Sequence, residues 1–514
     1  MKKRGLISII IIAVLLLSST ILLFKYSHSI AYSSDNVSGI LEAHSFINGN
    51  YLLHSFAIST DNFYLTDLPF YIIYETFAGI NTFEISFVPI LIYVLVIILS
   101  SLLVSLNFKN MKDKIKGIIT TLVLLGFPSF FLLNTTLTGQ IHVGTVLFIL
   151  ASFIFFKLFL SKKNYWYLIP LFISEFIYLL SDPFAIWIGA IPIIIAAIIA
   201  ILQNRNYLEK GIVAIVITII NLLLSKISIS VIKALGGFHI VAPVPYKFSH
   251  LSKIPGRMYL AINSILYYFG SHFFGKKLFL LSTMEELIKT LFIVLFIYLV
   301  YKIIKSRKIS IINTLLLSAI FLNLSAFIFS NIVHNMSFAR YMMPLTVFSL
   351  VFIALNIVYL LKKKWVIYIS FLFALFLIFS FIYRVGHFPV SSHIRNEKKL
   401  VSFLESKNLK YGIGTYWDSS ITTVLSSNKV NVRAVLITQN SIYPLIWLSS
   451  TKWYHPTSNK KFQFFVFGGN KYDKVSHDFT LATFVFGKSY KKYHIADYTV
   501  LVWKHNINST LSIL

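Results

Sequence analysis

Long apolar runs are the feature that most constrains how this chain can fold. About eleven stretches before residue 384 are apolar over a length near the roughly 20 residues that a helix needs to cross a membrane. The runs are continuous and lack the alternation of barrel strands, so we predict helices. The predicted spans are 6–24, 87–107, 117–134, 143–160, 165–180, 184–202, 212–231, 286–304, 309–330, 342–361 and 366–383.

The composition excludes an ordinary soluble protein. Of the 514 residues, 57% are hydrophobic and 12% are charged, whereas soluble domains carry about 25% charged residues. The first run follows MKKR, as a secretory signal would, but no small-residue cleavage site follows it, so we predict an anchor. The chain has no cysteine and no H-E-x-x-H motif, which excludes thiolate metal sites and the simplest metalloprotease site.

The basic residues of the short loops indicate the orientation. Clusters of Lys and Arg follow alternate spans, so they share one face, which the positive-inside rule assigns to the cytoplasm. We therefore predict a multi-pass protein of the cell membrane with a cytoplasmic N-terminus. The loops 25–86, 134–142, 181–183, 232–285 and 331–341 and everything after residue 384 are predicted to lie outside. The basic clusters are at 1–4, 109–116, 161–164, 203–210, 302–308 and 362–364.

The composition changes near residue 384, which divides the chain into a membrane domain (1–383) and an extracytoplasmic α/β domain (384–514). The second domain carries seventeen Lys or Arg and six acids, a basic surface that suits anionic lipid headgroups or phosphate-linked glycans. Nucleic acid is not expected as a partner in that compartment. A helix is predicted at 395–407, and strands at 411–417, 430–437, 462–468, 483–487 and 498–503.

Acidic residues are concentrated in and beside the first outer loop (25–86). No Lys or Arg occurs between Lys25 and Lys109, which by itself favours translocation of the loop. The apolar segments 68–80 and 257–270 are too short to cross and are predicted to be interfacial helices that cover the outer end of the bundle. Carboxylates beneath such a cover are partly desolvated, which raises their pKa and suits them to act as bases. The acids are Asp35, Glu42, Asp61, Asp67, Glu75 and Glu84.

Together, the N-terminal span, the outer loop with an early Asp, the two interfacial helices, the RYMMP motif at 340–344 and the outer C-terminal domain resemble the GT-C superfamily of membrane glycosyltransferases. The resemblance is to its protein O-mannosyltransferase and aminoarabinose transferase branches. It implies a GT-C-like all-α polytopic bundle that transfers a sugar from a polyprenyl phosphate to an acceptor outside the cytoplasm. It also implies that Asp35 is the catalytic base. Asn36 stands where many members carry a second acid.

The chemistry of such a transfer needs a base for the acceptor and a cation for the departing phosphate. Asp35 is the first candidate for the base and Asp61 the second. Arg340 is the candidate for the phosphate, although an arginine there can also simply snorkel at the interface. Asp182, before Pro183, can alternatively cap the following helix. The full set of candidate substrate-binding residues is Glu42, Asp67, Asp182, His334, Arg340 and Tyr341.

Three function classes are compatible with the sequence. The first is the glycosyltransferase, whose partners would be a polyprenyl-phosphate-linked sugar, membrane lipids and a glycan, lipid or protein acceptor at the surface. The second is a transporter or flippase of lipid-linked glycans, and the third is a noncatalytic protein of envelope assembly. No cofactor or metal ligand is assigned, and a divalent metal held by carboxylates is compatible with the acids present.

Overall fold

The computed structural model describes residues 2–162, 164–241, 247–277, 279–306, 309–455, 461–468 and 479–511. Within these ranges the chain forms a bundle of long apolar helices, followed by helices and strands in the C-terminal region. The predicted fold class, an all-α polytopic bundle with a C-terminal α/β region, is therefore confirmed. Of the predicted basic clusters at 1–4, 161–164 and 302–308, Met1, Lys163, Arg307 and Lys308 lie outside the described residues.

The helices identify a multi-pass membrane protein. Nine helices of the described residues are long and apolar enough to cross a membrane, and one bent pair would make a tenth. The helices are α1 (Lys2–Ser27), α2 (Ser38–Ile47), α3 (Leu68–Ala78), α4 (Glu84–Ser105), α5 (Met111–Gly126), α6 (Phe130–Thr136), α7 (Val143–Ser161), α8 (Leu168–Ser181), α9 (Ile191–Gln203), α10 (Leu208–Ala234), α11 (Ile254–Phe269), α12 (Leu281–Ser306), α13 (Ile311–Phe329), α14 (Met343–Leu360), α15 (Lys364–His387), α16 (Ser392–Ser406), α17 (Tyr416–Leu425) and α18 (Phe479–Phe486).

Two predicted spans differ from the observed helices. The run 117–134 is not one straight helix, because α5 and α6 meet at an angle of 82°. Pro128 disfavours helical backbone at the residue before it, and the Ser129 hydroxyl accepts a hydrogen bond from the Leu132 N–H at 3.1 Å to begin α6. The run 165–180 forms a shorter apolar helix over Tyr165–Ser181. At 1.5 Å per residue it is about 26 Å long, less than the roughly 30 Å of a membrane core.

The strands form two sheets. One has six strands in the order β5-β4-β3-β7-β9-β8, with β3 parallel to β4 and β7 and the remaining pairs antiparallel. The other has three strands in the order β2-β1-β6. The strands are β1 (Phe56–Ile58), β2 (His239–Ile240), β3 (Tyr411–Gly414), β4 (Asn431–Ile437), β5 (Ile442–Pro444), β6 (Ser449–Ser450), β7 (Phe464–Gly468), β8 (Lys491–Ile495) and β9 (Tyr498–Val502).

The predicted strand at 483–487 is wrong, because that apolar run belongs to α18. Leu481, Ala482 and Phe486 are its buried residues, and they pack with Phe465 and Trp503 against one face of the larger sheet. A short apolar run does not distinguish a strand from a buried helix by its periodicity. The helix predicted at 395–407 is observed as α16, and its Leu400 and Leu404 pack on the opposite face of the sheet.

The smaller sheet connects the first outer loop to distant parts of the chain. Its central strand β1 pairs in parallel with β2 of the long loop and antiparallel with β6 of the C-terminal region. A second connection joins the backbone N–H of Ser420 in α17 to the Ser34 hydroxyl at 3.0 Å. These contacts fix the segments on either side of β1, which carry Asp35 and Asp61, against the C-terminal region.

Candidate functional site

A cavity of about 460 Å³ lies where the first outer loop, the loop before α7, the segment before α14 and the C-terminal region meet. Its walls combine carboxylates, imidazoles, one guanidinium and aromatic rings. All the contributing segments before residue 384 belong to loops that the sequence placed on one side of the membrane. The lining residues are Ser33, Asp35, Asn36, Ser38, Ser59, Thr60, Asp61, Phe63, Thr138, Gln140, Ile141, His142, Ile332, His334, Phe338, Arg340, Tyr341, Trp447 and Leu448.

Asp35 lies on a single 3-10 turn, Ser34–Val37, that precedes α2. The Asn36 side chain holds this turn, since its Oδ1 accepts a hydrogen bond from the Ser33 N–H at 2.7 Å and its Nδ2 donates to the Thr138 carbonyl at 2.7 Å. The departure from an acidic pair at this position thus places an amide that makes two local hydrogen bonds. The hydroxyl of Tyr416, the first residue of α17, donates a hydrogen bond to Oδ1 of Asp35.

The surroundings of Asp35 raise the pKa of its carboxyl group, which makes the group better suited to act as a general base. Burial raises the pKa of Asp35 above its ordinary value, and the hydrogen bond from Tyr416 and the charge of Arg340 partly offset this rise. The side chain is half-buried and borders the cavity, so a molecule in the cavity can reach it.

Asp61, His142 and Asp182 form a chain of interacting side chains beside the cavity. Nδ1 of His142 donates to Oδ2 of Asp182 at 2.6 Å, and Nε2 of His142 lies 3.8 Å from Oδ2 of Asp61. Asp182 is fully buried and also accepts hydrogen bonds from the Thr145 hydroxyl at 2.7 Å and the Phe184 N–H at 3.0 Å. Asp182 therefore binds the turn after Pro183 and also orients the imidazole. The N-cap of the following helical segment, Ile186–Ala190, is Ala185 and not Asp182.

This chain changes the ionisation of its members. Burial and the neighbouring charge of Asp182 raise the pKa of Asp61 to about 6, against the opposing charges of His142 and Arg340. Burial disfavours the charged form of His142, but the hydrogen bond and charge of Asp182 and the charge of Asp61 together outweigh it and raise the pKa of the ring. A carboxyl group with a pKa near 6 that is linked to an imidazole can accept and release a proton near neutral pH.

The same three side chains have the donor set of a divalent cation site. One ligand atom from each of Asp61, His142 and Asp182 lies within 4.8 Å of the other two. Imidazole nitrogen and carboxylate oxygen are ligands that Zn²⁺ accepts. However, His142 and Asp182 already share a direct hydrogen bond, and the 3.8 Å between Nε2 of His142 and Oδ2 of Asp61 is longer than a hydrogen bond.

Arg340 supplies the positive charge of the cavity. It lies in the 3-10 segment Met336–Met342 that leads into α14, and its guanidinium is 5.6 Å from the centre of the Tyr341 ring. Its side chain is exposed to the cavity and forms no ion pair with a carboxylate of the described residues. The Tyr341 hydroxyl donates to Oδ2 of Asp61 at 3.5 Å. His334 is exposed just before this segment and packs edge-to-face on Phe338.

Two candidate substrate-binding residues lie behind the cavity rather than on its surface. Glu42 is buried, and its Oε2 accepts a hydrogen bond from Nε2 of the lining residue Gln140 at 3.3 Å. Asp67 is buried where α3 begins, against Gly144 near the start of α7. Burial raises the pKa of each carboxyl group to about 7.

Several residues in or beside the cavity were not among the sequence candidates. His142 and Gln140 stand in the short loop before α7, and Tyr416 and Trp447 come from the C-terminal region. The one available signal for His142 was an outer-loop histidine directly before an apolar helix. Tyr416 was placed in a predicted strand, whereas the strand ends at Gly414 and Tyr416 begins α17.

A second, apolar cavity of about 200 Å³ adjoins the first. The two share Ile332 and Tyr341 in their walls. A molecule with a polar end and an apolar end could therefore place one end in each. The remaining walls of the apolar cavity are Pro183, Phe184, Ile186, Trp187, Ala326, Phe327, Ser330 and Val333.

Comparison with known proteins gives one structural neighbour to report. No protein-family model matches the chain, and no curated protein matches it. Among solved structures, the crystal structure of ArnT from Cupriavidus metallidurans in the apo state is similar to this chain, with a TM-score of 0.46 and 11% sequence identity. The similarity covers 97% of this chain and 98% of that chain.

Proposed function

We propose that this protein is a membrane glycosyltransferase of the GT-C type that moves a sugar from a polyprenyl-phosphate carrier to a surface acceptor on the outer face of the cell membrane. One observation carries the proposal. Two carboxylates with raised pKa values, Asp35 and Asp61, and the guanidinium of Arg340 line a single cavity that adjoins an apolar cavity. A base, a cation and a place for a lipid chain are the three requirements of this reaction.

In the proposed reaction, an acceptor hydroxyl attacks the anomeric carbon of the donor sugar. A bond forms between the acceptor oxygen and this carbon, and the bond between the carbon and the phosphate oxygen breaks. The acceptor proton passes to the carboxylate of Asp35, and the leaving group departs as polyprenyl phosphate. Arg340, which has no carboxylate partner among the described residues, stabilises the charge that develops on the phosphate.

The neighbouring groups have supporting roles in this proposal. The Tyr416 hydroxyl orients the Asp35 carboxylate, and Gln140, itself bound by Glu42, contacts the polar part of the ligand. Phe63, Phe338 and Trp447 present rings on which a sugar can stack. The apolar cavity next to Tyr341 takes the first part of the polyprenyl chain. No step requires a metal, and none is assigned to the reaction.

The transporter alternative receives less support from the charged residues inside the bundle. Glu175 accepts hydrogen bonds from Thr218 at 2.9 Å and Asn221 at 3.1 Å. Glu285 pairs with Lys289 at 2.5 Å and Arg384 at 3.2 Å. These two carboxylates each bind partners on their own or neighbouring helices, an arrangement that stabilises helix packing. In the proposed arrangement, residues 1–383 form the membrane domain and residues 384–514 form the outer domain above the cavity.

The experiment that tests this function is the profile of lipid-linked sugars and surface glycans in cells lacking the protein. The cells are complemented with the wild type, Asp35→Asn or Asp113→Asn at equal membrane abundance. Asp113 makes a matched control, because it undergoes the same chemical change in the first turn of α5 and does not line the cavity. We expect the wild type and Asp113→Asn to consume the lipid-linked sugar and restore the glycan, and Asp35→Asn to leave the sugar on its carrier.

Three other results of this experiment would each contradict a different part of the proposal. If Asp35→Asn restores the glycan as well as the wild type, Asp35 is not the base and Asp61 becomes the candidate. If loss of the protein changes neither the lipid-linked sugars nor the surface glycans, the transferase proposal is wrong. If the lipid-linked sugar accumulates only on the inner face, transport is the better account.

A further inference from the structure

A second cluster of ionisable side chains lies in the C-terminal region, outside the cavity. One ligand atom from each of His393, Glu397 and Asp418 lies within 4.8 Å of the other two. His393 and Glu397 are four residues apart on α16, so they share one face of that helix, and Nε2 of His393 is 3.9 Å from Oε1 of Glu397. Asp418 approaches them from the first turn of α17.

The cluster is enclosed, and two of its atoms lack hydrogen-bond partners. The side chain of Glu397 is fully buried and that of His393 is 17% exposed. Oε1 of Glu397 and Nε2 of His393 have no N–H or hydroxyl donor within hydrogen-bond distance among the described residues, while close contacts of the Glu397 carboxyl group with Tyr498 and Asp418 lower its pKa from the value that burial alone would give. The other oxygen of Glu397, Oε2, accepts from the Thr422 hydroxyl at 3.1 Å. A buried carboxylate oxygen without a partner costs about 1 to 3 kcal/mol or more, and this cost suggests an absent ligand.

The histidine is oriented as metal-binding histidines are. Its ring is hydrogen-bonded to the backbone carbonyl of Tyr32. Because Nε2 has no partner, this bond is made by Nδ1, which must carry the proton to donate to a carbonyl. Nε2 of the neutral ring then presents a lone pair toward Glu397. A backbone carbonyl that fixes the tautomer in this way is a common partner of metal-ligating histidines.

A counterion is needed when both carboxyl groups of the cluster are ionised. Two ionised carboxylates and a neutral imidazole would sum to two negative charges, and no Lys or Arg of the described residues forms an ion pair with Glu397. A divalent cation would neutralise this charge and bind the unpartnered oxygen and nitrogen atoms at once. In a tetrahedral Zn²⁺ site with bonds of about 2.1 Å, neighbouring ligand atoms are about 3.4 Å apart. The 3.9 Å between Nε2 of His393 and Oε1 of Glu397 is thus close to that spacing.

We propose that His393, Glu397 and Asp418 bind a divalent transition-metal cation such as Zn²⁺. The site has a structural role and lies apart from the cavity that the proposed reaction uses. It joins α16 and α17 to each other and, through the carbonyl of Tyr32, to the first outer loop. A water molecule completes the coordination.

The proposed metal site lies close in sequence to a residue that contacts the cavity. Asp418 is two residues from Tyr416, whose hydroxyl contacts Asp35, and the Ser420 N–H binds the Ser34 hydroxyl at 3.0 Å. A cation that holds the first turn of α17 therefore also holds Tyr416 against the loop that carries Asp35. This inference does not depend on the proposed glycosyltransferase function, because its test measures metal rather than transfer.

The test uses the full-length protein, purified in detergent, stripped with EDTA, loaded with Zn²⁺ and dialysed. Bound zinc is measured by mass spectrometry in the wild type, Glu397→Gln, His393→Ala and two controls. Glu405→Gln makes the same change on α16 at an exposed position, and His494→Ala removes an exposed histidine of the same region. We expect both cluster variants to bind one zinc equivalent fewer than the controls. Loading with Co²⁺ should give visible absorption bands in the controls that are absent from His393→Ala.

A second readout separates loss of the metal from loss of the fold. Zn²⁺ should raise the apparent Tm of the stripped wild type and of Glu405→Gln, and leave that of His393→Ala unchanged. Each variant must first elute as a single species in size-exclusion chromatography, and a variant that does not is replaced by Asp418→Asn. Equal zinc content in cluster variants and controls would overturn the proposal. It would also be overturned if Zn²⁺ and EDTA did not change the Tm of the wild type, because the two carboxyl groups would then share a proton instead.

Discussion

The hydroxyl of Tyr416 donates a hydrogen bond to Oδ1 of Asp35, although the two residues are 381 positions apart in the chain. The bond joins the C-terminal region to the first outer loop at the carboxylate that we propose as the base. Ser420 of the same helix binds Ser34 beside it, so α17 positions this turn through two contacts. The C-terminal region therefore completes the site instead of only covering it.

Removal of this hydrogen bond should change the pH dependence of transfer. The bond stabilises the ionised form of Asp35 and lowers its pKa from the value that burial alone would give. In Tyr416→Phe the pKa of Asp35 therefore rises, and a higher pH is needed to keep the base ionised. Since a hydrogen bond to a charged group is worth about 1.5 to 3 kcal/mol, we expect the acidic limb of the kcat/KM profile to move up by about one to two pH units.

The measurement is transfer from the lipid-linked sugar identified in the glycan profile, followed between pH 4 and pH 9. Tyr490→Phe is the matched control, because it makes the same change on an exposed residue of the same region. An acidic limb that is identical in the wild type and Tyr416→Phe would mean that Asp35 does not control this limb.

The charge of Arg340 should matter for the donor phosphate. Removal of one preorganised donor to a developing charge costs about 10²- to 10³-fold in rate. We expect Arg340→Ala to lower kcat/KM for the lipid-linked sugar by about 100-fold, and Arg340→Lys to recover part of the loss, since Lys keeps the charge but loses the bidentate geometry. Arg395→Ala, an exposed arginine of α16, should have no effect. If Arg340→Ala has the activity of the wild type at normal protein levels, Arg340 does not bind the donor phosphate and is an arginine that snorkels at the membrane interface.

The sequence predicts the membrane fold well because length and hydropathy decide it. Prediction of the secondary structure is less accurate where the apolar runs are short. Residues 165–181 form a helix too short to be counted as a span, and residues 483–486 lie in a helix where a strand was predicted. Such runs are compatible with more than one structure, and only the packing partners, here Phe465 and Trp503 for α18, select one.

The candidate site is less predictable for a different reason. Asp35, Asp61 and Arg340 could be selected from their loops, and the structure brings these three to one cavity. The pairing of His142 with Asp182 depends on how α7 and α8 pack. Neither the loop before α7 nor the loop after α8 contains a sequence motif that predicts this pairing. Contacts between residues that are distant in sequence arise from the tertiary structure, whereas loop composition reports only exposure and side of the membrane.

The buried carboxyl group of Asp67 should make stability depend on pH. Burial raises its pKa from 3.8 to about 7 in the folded protein. The folded state therefore holds a proton that the unfolded state has lost, and the stability contributed by this group is full below about pH 4 and is lost as the pH rises to about 7. In Asp67→Asn the neutral amide removes this dependence. We expect the variant to be more stable than the wild type at pH 7, by about 4 kcal/mol at most.

The apparent Tm of the wild type and Asp67→Asn, measured between pH 4 and pH 8, tests this expectation. The two curves should converge near pH 4 and separate toward pH 7, whereas Asp113→Asn should remain parallel to the wild type. Parallel curves for Asp67→Asn would mean that the Asp67 carboxyl group does not retain its proton in the folded state.

Gly144 should be required for the approach of α7 to the segment that precedes α3. A Cβ atom at this position would contact Oδ2 of Asp67 and lie 2.7 Å from the backbone carbonyl oxygen of Thr66, which cannot rotate away. Alanine is intrinsically favoured over glycine in a helix by about 1 kcal/mol, so a helix without this contact would gain stability from the change. We therefore expect Gly144→Ala to lower the apparent Tm and to weaken transfer, because the displaced helix carries Thr145 and follows His142. Gly386→Ala in α15, where a Cβ atom meets no other atom within 4 Å, should keep or raise the Tm. A Tm for Gly144→Ala that matches or exceeds that of Gly386→Ala would contradict the close packing described for this corner of the site.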